Sequence, residues 1–162
     1  MKKLRSDGGQ SAVEFTMLFP FILVLILIII EFGFALHTNM RVTSSAREAA
    51  RFAAVANLPS STCVAGSVEG RAIDTSGDLL GCADVTVGYL EQNLVAGFSR
   101  GDAVVVRISH DYTPITPLGQ LMSAFSFGAF PTTFRMEACA DVRLEGAPVN
   151  QTVLPAGAGD CG

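Results

Sequence analysis

The pattern Gly97-Phe98-Ser99-Arg100-Gly101 has the G-x-S-x-G spacing of a nucleophile elbow, where a sharp strand-to-helix turn presents a serine hydroxyl for acyl transfer. The elbow needs a helix after it. Here Asp102-Ala103-Val104-Val105-Val106 follows, and it reads as a strand. A turn between two strands explains both glycines more simply, because glycine accepts positive φ. A triad also needs a base oriented by a third group. His110 is the lone histidine beyond position 37, and His110-Asp111-Tyr112 reads as the end of a strand. His37 and His110 are too far apart in sequence to suggest a metal site, and no cofactor is implied. Asn150-Gln151-Thr152 fits the glycosylation sequon, a three-residue match that is common by chance.

The four cysteines carry a clearer signal. Cys63, Cys82, Cys139 and Cys161 all lie in the Gly-rich part of the chain, without CxxC or His-spaced zinc patterns. An even number in a small domain points to two disulfides and an oxidising compartment. Four cysteines admit three pairings; nearest neighbours, Cys63–Cys82 and Cys139–Cys161, are taken as the working choice. The formal net charge of −4 argues against nucleic acid as a partner.

Glu14 stands at the entrance of an apolar stretch, Ala12 to Leu36, which is charge-free from Phe15 to Ile30. About 20 apolar residues suffice for a helix to cross the hydrocarbon of a bilayer. A cleaved secretory signal fits poorly, since the run is too long and flows on into a second helical pattern. Lys2, Lys3 and Arg5 precede the span while Arg41, Arg47 and Arg51 follow it, so the charge rule for orientation is nearly tied. The cysteines break the tie by placing the later residues on the oxidising side.

Around the span the chain divides into a polar leader, 1–9; a long helix, 10–57, with the transmembrane segment at about 12–36; an exported domain, 58–145; and a Gly/Ala/Pro-rich tail, 146–162. Beyond the span, Val42, Ala46, Ala49, Ala53 and Ala56 recur at three- and four-residue steps and form an apolar face. Arg41, Ser44, Ser45, Glu48 and Arg51 are placed roughly opposite. Asn57-Leu58-Pro59 supplies a stop. A short helix is expected near Val68–Asp74 and strands at Ala83–Leu90, Ala103–Tyr112 and Thr132–Leu144. Pro114, Pro117 and Gly119 interrupt the chain between the last two. The fold class is therefore α+β: a long N-terminal transmembrane helix continuing past the membrane, then a small antiparallel sheet. Glu31, near the far interface, reads as an interfacial acid or one paired with groups around Arg41.

The stretch Gly9-Gln10-Ser11-Ala12-Val13-Glu14-Phe15 resembles the processing site of tight-adherence (Tad) pilus proteins, where cleavage follows glycine. Together with Pro20, Ile30-Glu31-Phe32-Gly33 and the run Ala46 to Val55, it resembles the TadE-like family of minor pseudopilins over residues 9–55. The resemblance implies cleavage by a prepilin peptidase between Gly9 and Gln10, leaving Glu14 fifth and Phe15 sixth in the mature chain. It implies a structural or assembly subunit of the pilus, anchored in a bacterial inner membrane with its C-terminal domain exported, whose partners are the membrane, other pilins and pseudopilins, and the peptidase. In such assemblies the fifth-position acid pairs with the new α-amine of a neighbouring helix. The competing expectations are an uncleaved single-pass anchor with a partner-binding exported domain and a membrane-tethered hydrolase using Ser99.

Overall fold

The computed structural model describes residues 7–55, 63–90, 101–125, 132–145 and 161. Helix α1, Asp7–Ala54, is continuous over 48 residues with Pro20 inside it. It starts three residues earlier than the sequence suggests. It also stops three residues earlier. The Glu145 amide donates to the Ala54 carbonyl at 2.8 Å and so satisfies a group the last turn leaves unpaired. The proposed stop at Asn57-Leu58-Pro59 lies outside the described residues, as do Ala56, Gly97 to Arg100 and the sequon.

Two compact units share the chain. One comprises the polypeptide through Leu36 together with Thr113–Thr133; the other comprises His37–Tyr112 and Phe134–Gly162. The second unit holds the core. Its strands β1 (Val85–Leu90), β2 (Ala103–Tyr112) and β3 (Phe134–Arg143) form an antiparallel sheet in the order β1-β2-β3. The register sets Val87 opposite Val106 and Val106 opposite Ala140. Val104, Val106 and Ile108, on one face of the central strand, are fully buried against Val42, Ala46, Ala49, Ala50 and Ala53 of α1. β-branched residues suit the pleated surface, and alanines let the helix backbone approach it closely.

Ser45 corrects the sequence reading. It is three residues after Val42 and four before Ala49, so it belongs to the buried stripe rather than the opposite face, and it is fully buried with no hydrogen-bond partner for its hydroxyl among the described residues. At the start of the third strand Phe134 is 47% exposed, while Ala138 on the same face is buried.

Helix α2, Val68–Ser76, is fixed at both ends. The Gly70 amide donates to the Ser67 hydroxyl at 3.0 Å, and Gly77 closes the helix at φ 62. Arg41 of α1 donates to the carbonyls of Ser76 and Gly77, and Arg71 pairs with Glu48 at 2.8 Å. The disulfides join Cys63 to Cys82 and Cys139 to Cys161, with Cα separations of 5.8 and 5.6 Å. The first ties the segment before α2 to the 3-10 turn Cys82–Asp84 that leads into β1. The second ties the tail to β3.

In the first unit a helix that the sequence reading did not foresee, α3 (Leu118–Phe125), follows Pro117. Gly119 fits there because a side chain at that position would press on the Pro114 ring.

Candidate functional site

The residues singled out at the N-terminus lie on the first three turns of α1. Gly9 and Gln10 are exposed, as are Glu14 and Phe15. The Gln10 side-chain amide donates to Glu14 Oε1 at 3.2 Å, a contact between positions one turn apart. Phe15 and Phe19 lie with ring centroids 5.9 Å apart along the same face. Thr16 returns its hydroxyl to the Ala12 carbonyl at 2.8 Å, so this polar group is satisfied within the helix.

The apolar residues that follow are turned outward. Met17 is 70% exposed and Phe21 75%, and the most apolar stretch of the helix buries none of its residues. A soluble protein would bury such a surface. By length and composition this helix can cross a membrane.

At the other end of the apolar run, Glu31 meets the chain that follows the second strand. Its carboxylate accepts from the Ile115 amide at 3.2 Å, the Thr116 amide at 2.9 Å and the Thr116 hydroxyl at 2.6 Å. Arg41 donates to the end of α2. The sequence carries no periodic signal for a contact between positions 84 and 85 residues apart, and for that reason it was not foreseen.

Residues 9–51 match the family model described as TadE-like protein. The TadE-like segment begins at Gly9, the residue before the expected cleavage point, and runs along α1 almost to its end. No curated protein and no solved structure matches the chain.

The remaining chemistry of the second unit is modest. His110 Nδ1 lies 3.6 Å from Asp84 Oδ2, both part-buried. Gly101, at φ 102, leads into strand β2, not into the helix a nucleophile elbow requires. An open cleft of about 760 Å³ lies between α1 and β3, and its described lining mixes Arg47, Arg51, Glu48 and Asp141 without a histidine.

Proposed function

We propose that this chain is a minor pseudopilin of a tight-adherence pilus, anchored by α1 and processed after Gly9. The observation that carries this reading is the pairing of an outward-facing apolar helix with an exposed acid at its entrance, inside the TadE-like segment. A carboxylate at the edge of hydrocarbon is costly unless a partner charge compensates it. Cleavage between Gly9 and Gln10 creates an α-amine four positions before Glu14. In a stack of parallel helices offset along their axes by about 6 Å, the amine of one subunit lies level with the acid of its neighbour. The scissile bond is exposed in the first turn of a helix, where fraying opens the backbone to a peptidase.

The test compares Glu14→Ala and Glu14→Asp with wild type for membrane abundance, co-purification with other pilus subunits, and surface piliation. Glu14→Ala is expected to stay in the membrane while co-purification and piliation fall, with Glu14→Asp intermediate. Normal piliation by Glu14→Ala at normal abundance would remove the pairing mechanism.

A further inference from the structure

We infer that the connection between β2 and β3 is a second membrane contact, with Thr113–Pro117 at the lipid headgroups and α3 against the acyl-chain boundary of the leaflet where the span ends. The inference rests on the membrane-anchored reading above. Three independent observations carry it.

The first is composition. From Tyr112 to Phe134 the sequence contains no Asp, Glu, Lys or Arg. Within α3, Leu118, Leu121, Met122 and Phe125 recur at three- and four-residue steps, the spacing of an apolar stripe. Such a short apolar helix suits the plane of an interface and is too short to span it.

The second is placement. The connection groups with α1 through Leu36 as one compact unit. Glu31 follows directly on the charge-free run Phe15–Ile30, about one and a half turns before the apolar segment ends at Leu36, so its carboxylate lies close to the interface at which the span leaves hydrocarbon. By accepting from Ile115 and Thr116 it fixes the approach to α3 at that level.

The third is how backbone donors are disposed of. Irregular backbone near hydrocarbon is tolerated only when its polar groups are satisfied. Pro114 and Pro117 have no N–H to satisfy. Ile115 and Thr116 give theirs to Glu31, and the Thr116 hydroxyl does the same. Four of the five residues from Thr113 to Pro117 therefore present no free donor to lipid, while the Ile115 side chain is 67% exposed.

The protein has no tryptophan, so a single introduced one reports its own depth. The full chain is reconstituted in vesicles of phosphatidylethanolamine and phosphatidylglycerol doped with phosphatidylcholine brominated at shallow or deep acyl positions. Phe125→Trp, with Leu121→Trp as a second reporter, should show blue-shifted emission quenched more by shallow than by deep bromines. With no cation in the segment, added salt should leave that quenching unchanged. Thr86→Trp, on an exposed strand position, should escape bromine and be quenched by aqueous iodide. Adding Glu31→Ala to the Phe125→Trp chain should weaken bromine quenching at Phe125 without altering that of Ile26→Trp in the span; undiminished quenching would overturn Glu31 as the tether. Quenching of both α3 reporters by iodide alone would overturn the inference. Shielding of both from iodide and bromine alike would also overturn it, in favour of a protein surface such as a second copy. Failure of Ile26→Trp itself to meet bromine would sink the membrane-anchored reading, a result distinct from failure at α3 alone.

Discussion

Glu14 sits among Val13, Phe15, Met17 and Leu18, each more than half exposed, so its surroundings in a membrane are lipid and neighbouring helices rather than its own fold. A charged side chain at the centre of a span costs about 3 kcal/mol on insertion scales, and less near the entrance. Removing it therefore helps insertion. Any loss seen with Glu14→Ala belongs to assembly, where an amine left unpaired in a low dielectric is penalised. Ser45 makes the opposite case. Its hydroxyl is buried without a partner among the described residues, so Ser45→Ala removes an unmet polar group and keeps the small volume the helix contact needs. Stability should rise by about 1 kcal/mol. Denaturant titration of the detergent-solubilised chain, followed by tyrosine fluorescence, measures this; a clear loss of stability would show that the hydroxyl has a role the contacts do not reveal. In the same assay Ile108→Ala, which empties a fully buried position on the central strand, should cost about 2–5 kcal/mol.

Among the elements, α1 and β2 were the most legible in the sequence, because each carries its period over ten or more residues. α2 was found within two residues of its end, and the structure shows Ser67 and Gly77 capping it. α3 was missed because Pro114, Pro117 and Gly119 read as breakers, yet a proline just before the first turn is compatible with a helix start. The tether from Glu31 to Thr116 was invisible for a different reason: contacts between distant positions leave no local pattern. Of the candidate site, Gly9, Gln10, Glu14 and Phe15 were legible as a motif, and the structure adds their exposure on one helical stretch. The disulfides act at this scale too. The Cys63–Cys82 bridge spans 19 positions and ties the segment before α2 to the turn before β1. Replacing both cysteines with serine should lower stability by about 3 kcal/mol, judged by the same titration. Unchanged stability would mean that the caps and core fix this segment without the bridge.

For the whole molecule, the division into two units matches a division of labour. The unit from His37 has a core of valines, alanines and Ile108 closed by two disulfides, which suits an exported domain. The unit built on the outward-facing half of α1 has an apolar surface that water cannot stabilise. The proposed function turns on one covalent event at the boundary of the TadE-like segment. Intact-mass and N-terminal measurement of the chain purified from membranes of its own host tests that event most directly. The account predicts a mature chain beginning at Gln10, and retention of the leader when Gly9 is replaced by phenylalanine. A wild-type chain that keeps residues 1–9 in the assembled pilus machinery, or a Gly9→Phe chain shortened as efficiently as wild type, would contradict it.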